Sequence, residues 1–382
     1  MSLGTRLYAE LKGDRAIWAI LAVLALFSIL IVYSSTGTLA YRKMGGNTES
    51  ILIKHLVIVT GGLFLAYVTH LIHYLKYLKW APTLLLLSVP MLMYTIAFGV
   101  DINEARRWIE VPFVGITFQA SDFAKLALII YVAREISAKQ DYIKDFNSAF
   151  VPIIVPVLLI CALIAPADLS TAILLFLSCV AMMFVGRVAM RYILLLFMLG
   201  IVVFASLILL GEFFPDTIRS QTWINRVQEF WTGGEEGDGG FQVRQAKIAM
   251  ANGEWFGLGP GNSIQRNYLP SPYSDFIYAI FIEEYGILFG ALLVFLYVLL
   301  FFRVTRLVTK SAKAFGAMAA IGLSISLVLQ AFINIAVSVN LVPVTGVTLP
   351  MISLGGTSIL FTCISFGIIL SVSKYVESIA AD

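Results

Sequence analysis

Apolar runs of about 20 residues recur from one end of this chain to the other, and that is the length an α-helix needs to cross the hydrocarbon core of a bilayer. Inside that core no water can satisfy a backbone N–H or C=O, so each run must close its hydrogen bonds within itself as a helix. Composition agrees. Of 382 residues, 59% are hydrophobic and 13% charged, whereas a soluble domain carries about 25% charged residues. The expected fold class is an all-α polytopic membrane protein forming a single domain over 1–382, with about ten transmembrane helices. The simplest parse places them at 16–35, 52–72, 81–99, 119–135, 150–165, 170–186, 190–211, 274–302, 314–340 and 354–373. The first run follows Lys12 and Arg15 like a secretory signal but lacks a small-residue cleavage pattern, so it reads as a retained span.

Orientation follows from the lysines and arginines of the short connections. With the N-terminus in the cytoplasm, Lys12, Arg15, Lys76, Lys79, Arg134, Lys139, Arg187, Arg303, Lys313 and Lys374 all fall inside. The short outer connections then keep only Arg42, Lys43, Arg106 and Arg107. An even number of spans returns the C-terminus to the cytoplasm. The polar segments 100–118, 166–170, 212–273 and 341–353 lie outside, and 212–273 is a large extracytoplasmic loop between the seventh and eighth spans. A connection that long usually has a function or a partner. Within it, Ile218, Trp223, Ile224, Val227, Phe230 and Trp231 have helical spacing and predict an amphipathic helix over 219–231 lying on the membrane surface. The glycines of 233–240 break it, and 241–252 reads as a second short helix ending near Gly253.

Several chemistries are excluded. A net charge of +3 with no basic tract gives no footprint for nucleic acid. Cys161, Cys179 and Cys363 lie inside apolar runs without pair spacing, and His55, His70 and His73 are too scattered for a metal cluster. Gly257-Leu-Gly259-Pro-Gly261-Asn-Ser263 lacks the Gly-Lys-Ser/Thr ending of a nucleotide loop and has no preceding strand, so no nucleotide is expected. It reads as a tight re-entrant or surface turn needing glycine dihedrals. A third reading gives its backbone N–H groups to an anionic lipid headgroup.

The informative residues are charges at membrane depth, which cost roughly 2.5–3.5 kcal/mol each on insertion scales and usually mark a substrate path or a proton-handling site. Asp275 opens the eighth span, and Glu283 and Glu284 follow within it. On a regular helix Glu283 lies about 80° from Asp275 and Glu284 about 180°, so one of them is expected to face the same cavity two turns deeper. The plainer alternative is that Ser274-Asp275 caps the helix and complements its dipole. Asp122 and Lys125, three apart at the start of the fourth span, share a face and can pair. They form either a structural ion pair or a functional one, in which Lys125 neutralises a substrate phosphate and Arg107 clamps pyrophosphate. Asp168 opens the sixth span as a cap or as a second cavity acid.

In order along the chain come Arg107-Trp-Ile109, Gln119-Ala-Ser-Asp-Phe-Ala-Lys125, Asp168-Leu-Ser-Thr171, Tyr268-Leu-Pro270, Ser274-Asp-Phe276, Glu283-Glu-Tyr-Gly286 and Pro343-Val-Thr-Gly-Val-Thr-Leu-Pro350, with Gly355-Gly-Thr-Ser358 last. As an ordered set this resembles the SEDS family (shape, elongation, division and sporulation proteins, FtsW and RodA) over essentially the whole chain. Thr348 before Leu349-Pro350 is closer to the division branch, FtsW. Three motifs depart from the family pattern. Its Gln-Pro-Ser/Ala-Glu is Gln119-Ala-Ser-Asp122 here, with a shorter acid; its Pro-Asp-Leu-Gly-Thr is Ala167-Asp-Leu-Ser-Thr171; and its Tyr-Gly-Gly-Ser-Ser is Leu354-Gly-Gly-Thr-Ser358.

The resemblance implies a peptidoglycan glycosyltransferase that polymerises lipid II on the outer face of the bacterial cytoplasmic (inner) membrane, for septal or elongation wall synthesis. Its partners would be lipid II, polyprenyl pyrophosphate, a class B penicillin-binding protein and other divisome or elongasome membrane proteins. The family's essential aspartate maps onto Asp275, its cavity acid and lysine onto Asp122 and Lys125, and its loop arginine onto Arg107. Asp275 is thus the expected catalytic residue. Arg107, Lys125, Asp122, Glu283 and Ser274 are the expected substrate and pyrophosphate ligands, with Asp168, Arg106 and Glu284 as secondary cavity residues. A divalent cation, Mg or Mn, is an alternative source of positive charge for the pyrophosphate. A lipid-linked precursor flippase or a noncatalytic scaffold for the cross-linking partner are the rival readings. Polar residues gathered at one membrane face, rather than at the midplane between inverted repeats, favour the enzyme.

Overall fold

Helices form where the apolar runs lie, and their ends fall where polar residues return. In the computed structural model the described residues are 12–37, 48–102, 105–110, 117–213, 220–232, 238–311 and 313–381. Helices α1 (Arg15–Ser35), α2 (Thr48–Leu71), α3 (Tyr74–Phe98), α4 (Ala120–Ala138), α5 (Val151–Ile164), α6 (Leu169–Val185) and α7 (Met190–Phe213) occupy the first seven expected positions. After two helices in the long connection, α8 (Ser220–Thr232) and α9 (Asp238–Gly253), come α10 (Ile277–Lys310), α11 (Ala314–Ser338) and α12 (Thr357–Ala381). Among the described residues seven helices are long and apolar enough to cross a membrane. Helix α6 is apolar but shorter, as is the 190–202 part of α7. Helix α4 carries Asp122, Lys125, Arg134 and Glu135 and is shielded by its neighbours instead.

The chain is a multi-pass membrane protein, and its packing shows why. Large apolar side chains such as Phe64, Leu86 and Phe98 stand exposed on the outer helices, a surface that only lipid makes affordable. Helices α11 and α12 form the centre, each 72% buried along its apolar window. Helix α11 packs on α4, α6 and α10, and α12 packs on α2. At one end Asp14 caps α1 through Ala16 N at 2.8 Å, pairs with Arg303 Nη2 of α10 at 2.6 Å, and donates its own N–H to Ser373 of α12.

Two features depart from a simple bundle. The polar segment expected over 100–118 builds, with Gln119, a small antiparallel sheet, β1 (Val100–Ile102), β2 (Ala105–Glu110) and β3 (Thr117–Gln119), in that spatial order. Trp108 pairs with Gln119 and Ile109 with Phe118, and β3 runs directly into α4. Gln119 N also donates to Thr357 Oγ1 at the start of α12 (3.2 Å). The sheet therefore anchors the first turn of α4 in register. That turn carries Asp122, and Lys125 follows in the next turn.

The second departure is a break in α10. Gly286 has φ 83 and ψ 170, outside the helical region. The helical ladder lost there is replaced by backbone from the segment after α9. Leu258 N and Gly259 N donate to the carbonyls of Glu283 and Glu284 (2.9 and 3.0 Å), and Ile287 N donates to Glu254 O (2.9 Å). The two strands of chain touch so closely that a Cβ on Gly286 would stand 2.3 Å from Trp255 O, and one on Gly257 would stand 2.2 Å from Glu284 O. Glycine is required on both sides. The glycine-rich segment thus packs against α10 some nine residues, roughly 13 Å, from its start, and Gly257, Gly259 and Gly261 take positive φ, the glycine dihedrals that the turn reading expected. Leu258 and Gly259 give their amides to carbonyls of α10, Gly261 and Ser263 theirs to the Glu284 carboxylate, and Gly257 and Asn262 theirs to Gly253 O and Gly259 O, so these amides are not open to an anionic headgroup.

Candidate functional site

A cavity of about 310 Å³ opens where α4, α6, α10 and α12 begin and where the chain leaves α11. Asp122, Lys125, Asp168, Ser274 and Asp275 all line it, so five of the expected residues meet although the sequence spreads them over 150 positions.

Asp275 sits in the turn before α10. The helix-capping position falls at Phe276, whose side chain makes no capping bond, so Ser274-Asp275 is not the N-cap considered above. The turn is pinned through its main chain. Asn334 Nδ2 of α11 donates to Asp275 O (2.9 Å) and to Val347 O (2.7 Å). Ser353 Oγ donates to Ser274 O (2.7 Å), and Leu354 N donates to Tyr273 O (2.9 Å). The carboxylate itself accepts from Ser274 Oγ at 2.8 Å. Gly346, with φ 69, passes beside it, and a Cβ there would lie 3.7 Å from Oδ2. Main-chain anchoring of this kind fixes the position of the acid at the cavity wall.

Across the cavity, Lys125 Nζ donates to Asp122 Oδ1 (3.2 Å) and to Gln330 Oε1 of α11 (2.9 Å). Gln330 is held in turn by donating to Thr348 O (3.0 Å). Asp122 is 4% exposed, and its Oδ2 is buried with no hydrogen-bond partner among the described residues. A buried carboxylate oxygen left unpaired costs on the order of 1–3 kcal/mol, so the pair is arranged for more than mutual neutralisation. Asp168 caps α6, accepting from Thr171 N (3.0 Å), and also lines the cavity, so both of its expected roles coexist. Arg106 and Arg107 lie on β2, whose Trp108 lines the cavity; the side chains of the two arginines fall outside the described residues.

Glu283 and Glu284 do not reach this cavity, contrary to the expectation from a regular helix. Both lie at the break in α10. Glu283, fully buried, accepts from Ser263 Oγ, Asn252 Nδ2 (3.3 Å) and the backbone of Ile264 and Gln265 (3.3 Å each at closest). Glu284 accepts from Ser34 Oγ of α1, and Arg266 Nη1 donates to Ser34 O at 2.9 Å. These acids fasten the inserted loop and α1 to α10. Their carboxylates hold structure rather than line the cavity.

Sequence reasoning overlooked the polar stripe of α11. Ser326, Gln330, Asn334 and Ser338 are buried and spaced four apart, so they form one helix face. Two amides inside an apolar span were the available signal. As for a cation, among the described residues no group of three His, Cys, Asp or Glu side chains is arranged to hold a metal ion.

The sequence pattern of the FtsW, RodA and SpoVE family, described as cell cycle protein, matches residues 14–378. The probable peptidoglycan glycosyltransferase FtsW of Geobacter sp. (strain M18) is 30% identical over 371 residues, 96% of this chain and 98% of the relative. Stage V sporulation protein E of Bacillus subtilis (strain 168) is 30% identical over 370 residues, covering 95% and 97%. Among solved structures, a chain of a peptidoglycan synthase complex that coordinates polymerisation and crosslinking superposes with TM-score 0.75 at 22% identity, covering 95% of this chain and 98% of that one. The rod shape determining protein RodA of Thermus thermophilus gives TM-score 0.66 at 20% identity over 94% and 96%.

Proposed function

This chain belongs to the FtsW/RodA/SpoVE family of cell cycle proteins, and we propose that it is a peptidoglycan glycosyltransferase that polymerises lipid II at the outer face of the bacterial inner membrane. The observation that carries this is the joint lining of one cavity by Asp275 and by the Asp122–Lys125 pair, at one end of a helical bundle. Chain growth needs a sugar 4-hydroxyl to attack an anomeric carbon whose leaving group is a lipid pyrophosphate. Asp275, with its main chain held on both sides, accepts the hydroxyl proton; such assistance is typically worth about 10²–10⁴ in rate. Lys125, oriented by Gln330 and Asp122, faces the charge that develops on the departing pyrophosphate, and Arg107 of β2 is the second cation assigned to it. One displacement inverts the α-linked donor into a β-linked polymer.

In the proposed topology of ten spans both termini lie in the cytoplasm and residues 212–273 lie outside. A class B penicillin-binding protein is the proposed partner, cross-linking the product as it emerges, alongside other divisome or elongasome membrane proteins. The resemblance of the bundle to a chain from a complex of polymerisation and crosslinking supports that pairing. The test is purified protein with lipid II in detergent, with and without the partner and a chelator. Polymer formation supports the reading, and it separates an enzyme from a flippase because detergent leaves no second leaflet. Absence of polymer under every condition refutes it.

A further inference from the structure

Between α8, α9 and the 340–344 stretch lies a second cavity, of about 140 Å³, that polymerisation does not use. Arg226 of α8 and Arg244 and Lys247 of α9 line it together with Glu229. Arg244 and Lys247 are three apart, so they share a face of α9, and both are exposed.

The first turn of α9 also lines this cavity, through Gly239 and Gly240. The first amides of a helix have no intrahelical acceptor and carry the positive end of its dipole. A Cβ on Gly239 would stand 2.4 Å from Glu229 Oε2. A carboxylate oxygen thus already occupies the approach to that turn, in the place an anion would take. On the opposite wall Arg226 Nη1 donates to Val344 O at 3.2 Å. Gly346, Val347 and Thr348, a few residues on, line the main cavity.

The surroundings point to lipid. Helix α8 packs on the end of α7, and α9 packs on α10 and α11, at the same bundle end as the main cavity. Trp231 and Leu341 nearby are 81% and 70% exposed, the mixture of apolar and cationic groups found at headgroup depth. We infer that this cavity is a second anion site, which holds the phosphate of a membrane lipid while its chains lie along the exposed apolar side of α8. The phosphate belongs to an anionic phospholipid or to a lipid-linked pyrophosphate, and only the latter source rests on the proposed polymerase function.

The test uses the full chain in a neutral detergent, titrated with short-chain phosphatidylglycerol or with phosphatidylcholine of equal chain length and read by native mass spectrometry. The double variant Arg244→Gln/Lys247→Gln is expected to bind phosphatidylglycerol at least about tenfold more weakly, a difference of about 1.4 kcal/mol, with phosphatidylcholine unaffected. Glu229→Gln, which removes the competing carboxylate, is expected to tighten phosphatidylglycerol binding. Asp275→Asn is expected to bind it like the wild type, so a failure of the polymerase reading leaves this result standing. Adding a polyprenyl pyrophosphate assigns the source: displacement of phosphatidylglycerol identifies a lipid-linked pyrophosphate, and persistence identifies a phospholipid. Equal phosphatidylglycerol binding by the wild type and the double variant, or an equal loss with phosphatidylcholine, overturns the inference.

Discussion

Asp275 and Glu283 are eight residues apart at the head of one helix, and sequence gives them equal standing as intramembrane acids. Their surroundings differ completely. Asp275 is anchored by its main chain and its side chain lines a 310 Å³ cavity shared with Lys125. Glu283 lines no part of that cavity, and its carboxylate receives donors from Asn252, Ser263, Ile264 and Gln265. An acid at membrane depth is therefore not in itself a sign of chemistry. What distinguishes the two is what surrounds each acid: a cavity shared with Lys125 for Asp275, and the donors of the inserted loop for Glu283.

The sharpest way to break this contrast is to neutralise Asp275 without changing its shape and to remove the Glu283 carboxylate altogether. Asp275→Asn is expected to lower lipid II polymerisation by at least about 100-fold, with the thermal unfolding midpoint in detergent unchanged. Glu283→Ala should do the reverse. It strands several buried donors, so a loss of about 3 kcal/mol or more is expected, seen as a lower unfolding midpoint and reduced yield of folded protein. Next comes Gly286→Ala, where a Cβ would meet Trp255 O at 2.3 Å and φ is 83. We expect a cost of about 1–3 kcal/mol from backbone strain, and more if the loop is displaced. Limited proteolysis within 254–262 would report that displacement. The smallest effect is expected for Gln330→Leu, which releases Lys125 from one of its two ties. A rate loss of roughly tenfold, with stability nearly unchanged, would place Gln330 as a positioning residue. Rescue by Gln330→Asn is not expected, because the shorter amide cannot span to both Lys125 and Thr348.

These outcomes also indicate which parts of the molecule the sequence could reveal. Apolar runs showed where helices form because a span in lipid must satisfy its own backbone. Asp122, Lys125, Asp168 and Asp275 were legible because each stands at the start of a span, where a charge interrupts an otherwise apolar pattern. Glu283 and Glu284 were misassigned because the helical-wheel argument starts the helix at Asp275, which instead sits in the turn before the cap at Phe276. The break at Gly286 is written in contacts with residues some 30 positions earlier, which no local pattern contains. The sheet over 100–119 was hidden for a related reason: its strands are three to six residues long and carry charges, and only their pairing makes them strands. The polar face of α11 was visible in principle, but Gln330 and Asn334 disappear into the average hydropathy of their span.

The most direct test sets Asp275→Asn and Glu283→Gln side by side, with polymer formed from lipid II normalised to folded protein. The account predicts no polymer from the first, at wild-type thermal stability, and a less stable second variant that keeps near-normal polymerisation per folded molecule. Polymer from Asp275→Asn at a rate close to that of the wild type would contradict it.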